Sequence, residues 1–127
     1  MKITLWPQLA IFILAVLASM GLGRGLWTVD WPYGDEIHYL IGMHSLAREG
    51  DLDLEDNYAR DDGRIFGYPV SDAHARRTAG ARYLSTHTPG VYLLGAGPYA
   101  LAGAAGVYLF YHLLFGLLAV LLYRIAL

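Results

Sequence analysis

The chain has 127 residues, no Cys and only 16% charged residues, against roughly 25% in an ordinary soluble domain. Without cysteine there is no disulfide framework and no thiolate metal site. A net charge of −2 gives no basis for a nucleic-acid partner, and 56% apolar residues exclude an intrinsically disordered chain.

Charge is confined to the middle of the sequence. All 11 acidic residues lie between Asp30 and Asp72, and seven of the nine basic residues between Arg24 and Arg82. The first flank, Ile3 to Gly23, is uncharged. At about 1.5 Å per residue it is long enough for the roughly 30 Å hydrocarbon core of a bilayer. Its apolar stretch exceeds that of a signal peptide, and Ala18-Ser19-Met20 is a poor cleavage site, so residues 1–23 are expected to form an uncleaved transmembrane helix.

Residues 24–87 form a polar loop. Trp27, Trp31 and Tyr33 suit an aromatic belt at the membrane–water boundary. Asp35 is placed as an N-cap, with Glu36 in the first turn facing the positive end of the helix dipole. Ile37, Leu40, Ile41, His44 and Ala47 recur at helical spacing, so an amphipathic helix is expected over about 35–49, ending at Gly50 and lying beside the membrane surface. The acidic run Asp51–Asn57 lacks the Gly and Glu of a calcium loop, since Asp56 and Asp62 occupy those positions, and reads as a solvated loop. From Tyr58 to Ser85 irregular chain is expected, with one short strand near Arg64–Val70.

The second uncharged run, Thr88 to Tyr123, is too long for one upright helix. Gly103-Ala104-Ala105-Gly106 divides it, so residues 88–127 are expected to form a transmembrane hairpin, with Gly95, Gly97 and Pro98 bending or shortening its first half. The fold class is therefore an all-α integral membrane protein with about three transmembrane helices. Lys2 and Arg24 flank the first span and pull its orientation in opposite senses, so charge leaves the orientation open.

Three groups carry chemistry. Asp35 and Glu36 stand at a helix start near a membrane, where a helix cap is the alternative use. His87-Thr88-Pro89-Gly90 leads into the second apolar run, where Pro also suits a first helical turn. Arg76, Arg77 and Arg82 suit phosphate through bidentate hydrogen bonding, or simple solvation. The five His show no metal-ligand spacing, and His112, within an apolar run, is expected to pack or to bond between helices.

The order of these features adds specificity. G-D-E-x-H-Y at Gly34–Tyr39, an amphipathic helix closing on E-G-D-L-D-L-x-x-N-Y, and S-x-H-x-P-G at Ser85–Gly90 followed by P-Y-A-L-A-G resemble the N-terminal part of bacterial membrane glycosyltransferases of the GT-C fold. The similarity is to the branch with protein O-mannosyltransferase-like and lipid A aminoarabinose transferase-like members, and it covers Gly34–Tyr58 and Ser85–Gly103. It implies transfer of a sugar from a polyprenyl-phosphate carrier to a glycan, lipid or protein acceptor. It also implies a multi-pass protein of the bacterial inner membrane, with its polar loop on the outer face.

By the same resemblance Asp35 takes the role of catalytic carboxylate, with Glu36 beside it. The carrier phosphate lies near His87, with Arg76, Arg77, Arg82, His38 and Tyr39 as further binding candidates. The leaving phosphate calls for stabilisation by Arg, His or a divalent metal ion. Members of the superfamily are several-fold longer, so an incomplete GT-C fold, inactive by itself, is expected. A small non-catalytic membrane protein that binds a partner or lipid headgroup through its loop is the competing expectation. Gly21-x-x-x-Gly25 and Ala102-x-x-x-Gly106 would then mediate helix contact. A subunit of a split transporter ranks last, because only His112 supplies a midplane polar group.

Overall fold

The structure, a computed structural model, describes residues 5–26 and 34–127, with side chains for all of these except 23–26. The aromatic belt expected at Trp27, Trp31 and Tyr33 lies outside the described residues, as do Lys2 and the side chain of Arg24. The elements are α1 (Leu5–Leu26), α2 (Glu36–Arg48), α3 (Glu55–Ala59), a 3₁₀ turn (Asp62–Phe66), strands β1 (Ala75–Arg77) and β2 (Tyr83–Ser85), and α4 (Pro89–Ile125). They form two compact units, one of Met1–Asp30 with Tyr108–Leu127, the other of Trp31–Val107.

Two helices, α1 and α4, are long and apolar enough to cross a membrane. Leu14, Leu17, Leu22, Leu117 and Leu122 all project from the surface. Surfaces of that kind are costly in water and suited to hydrocarbon, which points to membrane association. Within the first unit the two helical segments meet closely. A Cβ on Gly116 would stand 2.7 Å from Val16 and 2.9 Å from Phe12, so only glycine allows this approach. The Ser19 hydroxyl donates to the Val16 carbonyl at 2.8 Å and lies 3.0 Å from Nδ1 of His112. With its one proton committed, Ser19 accepts from His112, which fixes the Nδ1–H tautomer and makes His112 an inter-helix bonding group. Gly21 has open space around its Cβ position, whereas a Cβ on Gly106 would stand 2.3 Å from the carbonyl oxygen of Pro98 in the preceding helical stretch.

The segment 88–127, expected as a hairpin, consists of two helical stretches joined by a kink at Ala102 (φ −147°, ψ 22°) and Gly103 (φ 61°, ψ −150°). The Gly103 conformation is essentially restricted to glycine, so the break falls at the first residue of the small-residue run. The stretch before the break is about 20 Å long and the one after it about 33 Å. Only the second matches a hydrocarbon core of roughly 30 Å.

The second unit is built on α2. Leu40 and Met43 pack with Tyr92, Tyr99 and Val107, while Ile37 and Ile41 pack with Leu54. The expected helix is present, but its apolar residues serve two clusters, and Gly42 and Ser45 are buried as well. It is the central helix of a small core and not a one-sided surface helix. Gly95 serves this packing too, since a Cβ there would overlap Met43 Sδ.

Two other expectations fail in the loop. No strand forms at Arg64–Val70; residues 62–66 make the 3₁₀ turn, closed by Gly67 at φ 83°. The strands lie further on, with Ala75, Arg76 and Arg77 opposite Ser85, Leu84 and Tyr83 in an antiparallel pair, so the chain is not wholly α. Asp53 joins as a bridge to Leu84, its carboxylate accepting from the Tyr83 amide at 3.0 Å. The acidic run is therefore tied into the fold and not merely solvated.

Candidate functional site

Asp35 precedes α2, and its backbone carbonyl accepts from the amides of His38 and Tyr39 at 3.0 and 3.2 Å. Its side chain makes no capping hydrogen bond. The carboxylate turns away, with Oδ1 3.2 Å from Nδ1 of His74. His74 Nδ1 also lies 3.2 Å from Nε2 of His87. One potential ligand atom from each of Asp35, His74 and His87 falls within 4.8 Å of the others.

Each member is placed by a different local cause. The β1–β2 register sets the Thr86 amide on the His74 carbonyl at 2.9 Å, so His74 stands beside the strand that runs on to His87. His87 donates its amide to the Ser85 hydroxyl at 3.0 Å, and that hydroxyl also bonds the Tyr92 hydroxyl. The helix start carries Asp35, and one turn into α2 comes His38, only 6% exposed. The His38 ring stacks on His74 with centroids 3.7 Å apart and planes 12° apart. Its Nδ1 is bonded to the Tyr58 hydroxyl at 2.9 Å. Burial, followed by the neighbouring His74 and His87, pushes its pKa down to about 4. His38 is therefore a neutral, fixed plate behind His74 at ordinary pH. Burial likewise pushes the Tyr58 phenol up to about 12.

Tyr39 is half-buried with its ring centroid 4.7 Å from that of His87. Asp35, His38, Tyr39 and His87 are thus brought together. Glu36 is half-buried in the first turn of α2 and supplies no atom to the Asp35 group. Arg77 pairs with both oxygens of Glu55 and lies over the Tyr83 ring, while Arg76 and Arg82 are exposed on the hairpin. The Asp35 carboxylate faces the His74 imidazole, and the ion pair of Arg77 is with Glu55. The one member that sequence reasoning missed is His74. It has no local signal, because it sits in a polar segment and becomes a neighbour of His87 only through strand pairing.

A second group, His44, Glu49 and Asp62, also brings three potential ligand atoms within 4.8 Å. Here the guanidinium of Arg60 already pairs with Glu49, Asp56 and Asp62. Asn57 donates to Glu49 and Asp62 at 2.9 Å each. Burial raises the Asp62 pKa, but the bonds from Arg60 and Asn57 outweigh it and hold the carboxyl below its ordinary value. Chemically, the first group combines a carboxylate with imidazoles, and suits proton transfer, cation binding or, when protonated, an anionic oxygen. No family model, curated protein or solved structure matches the chain.

Proposed function

We propose that the chain is the N-terminal segment of a membrane glycosyltransferase that takes a sugar from a polyprenyl-phosphate carrier, with Asp35 as its catalytic carboxylate. One observation carries the reading. The two parts of the sequence that bear the GT-C resemblance meet in space, and they meet through Asp35 and His87, the residues to which the resemblance assigns chemistry. A carboxylate used only as a helix cap would be bonded to the amides of α2, and that of Asp35 is not.

In this reading Asp35 accepts the proton of an acceptor hydroxyl as its oxygen attacks the anomeric carbon. The bond to the carrier phosphate breaks and its electron pair leaves with the phosphate. His87 and Tyr39 sit where that phosphate departs. The acceptor is a glycan, lipid or protein hydroxyl, and the polar loop faces the outer side of a bacterial inner membrane.

The test is sugar transfer from a radiolabelled polyprenyl-phosphate sugar in membranes, using the longest reading frame that contains these residues. Asp35→Asn is expected to lower transfer by about 10²–10⁴-fold, the contribution of a positioned base, with unchanged membrane insertion. Undiminished transfer in that variant refutes the assignment.

A further inference from the structure

The three atoms that converge at the candidate site cannot satisfy one another. When ionised, Asp35 Oδ1 can only accept. His74 Nδ1, with a proton, would have to share it between Asp35 and His87, each 3.2 Å away. Without that proton, it sets a lone pair against the carboxylate. Among the described residues no Arg or Lys pairs with Asp35. The Arg60 cluster shows the contrast, since its carboxylates have a guanidinium and an amide at hand.

Two of the three separations also match a metal polyhedron. Ligands 2.0–2.1 Å from a tetrahedral zinc lie about 3.3 Å from one another. The two contacts to His74 are both 3.2 Å. The donor set is two imidazoles and one carboxylate, which suits zinc and related divalent transition metals over calcium or magnesium. Support from behind is present as well. The His38 ring stacks on His74 and Tyr39 flanks His87, so packing holds both imidazole planes.

We propose that Asp35, His74 and His87 form a mononuclear site for zinc or a similar divalent transition metal, with one coordination position left to an exogenous oxygen. The sides of the site that these three residues do not occupy are partly open, since Asp35 is exposed and the two imidazoles half-exposed. Three protein ligands and a free position are the arrangement of reactive zinc sites, where the metal acts as a Lewis acid toward a bound oxygen. The inference does not rest on glycosyl transfer. If both hold, ligation through Oδ1 leaves the other carboxylate oxygen for the acceptor proton, and the metal's free position faces an anionic oxygen of the donor.

The experiment uses the full chain in detergent or nanodiscs, stripped with a chelator, and zinc alone as the probe. Competition against a chromophoric chelator is expected to give one zinc per chain with a dissociation constant in the micromolar range or tighter. His74→Ala and His87→Ala are each expected to weaken binding by about 100-fold or more, and His44→Ala, in the Arg60 cluster, to leave it unchanged. Cobalt loaded into the unaltered chain guards against misfolded variants: it is expected to show the visible absorption of a four-coordinate site, with X-ray absorption fitting two imidazoles. Absence of stoichiometric zinc, a first shell without histidine, or loss of binding in His44→Ala overturns the proposal. None of these readouts involves sugar transfer, so its failure and that of the transferase reading are separable.

Discussion

The histidine group around Asp35 and the acid group around Arg60 use nearly the same ingredients and reach opposite states. Both gather carboxylate and imidazole within 4.8 Å. Around Arg60 each carboxylate has a cation or an amide donor, and Asp62 is almost fully buried because its charge is compensated there. Around Asp35 the carboxylate is exposed, its only ion-pair partner among the described residues is a histidine, and its capping duty is unfulfilled. Compensation of charge marks a structural cluster. The Asp35 carboxylate instead gives up the helix cap to face imidazoles.

That contrast can be broken most forcefully through acid. The His38 pKa is about 4 in the folded chain against 6.5 ordinarily, so between these values the unfolded chain binds more protons. Stability is therefore full above pH 6.5 and falls as pH drops towards 4, by up to about 3 kcal/mol. Thermal unfolding in detergent across that range measures it, and His38→Asn is expected to flatten the dependence. An unchanged dependence in that variant removes His38 as its source.

Asp62→Ala strikes the compensated side. It strips a partner from buried Asn57 and from Arg60, and is expected to cost about 2 kcal/mol by the same measurement. Gly42→Ala tests the core on which both groups stand. Its methyl group would lie 2.6 Å from the Tyr92 ring, and overpacking of this kind costs about 1–2 kcal/mol. The smallest effect is the sharpest. Asp35→Asn is expected to change stability by less than about 0.5 kcal/mol, because no cap bond is lost, while it removes most of the transfer activity. A stability loss above about 1 kcal/mol would return Asp35 to the structural class.

Much of this is legible in local sequence. The apolar flanks, the helix from Glu36 to Arg48 and the break near Gly103 follow from charge-free length, helical spacing and small residues, all of them properties of neighbours in the chain. The bonding of His112 across to Ser19 follows too, since an imidazole in an apolar run must find a partner. Asp35, Tyr39 and His87 stand out because each lies at the start of an element or beside one. Tertiary structure alone decided three matters. It turned the Asp35 side chain away from the amides of its own helix. It assigned Arg77 to Glu55. It added His74, because antiparallel pairing of 75–77 with 83–85 brings a residue 13 positions from His87 to within 3.2 Å of it. Helix propensity and hydropathy act over a few residues and can be read along the chain. Hydrogen-bond partners and ion pairs between elements depend on register and on which donor arrives, and those exist only once the chain has folded.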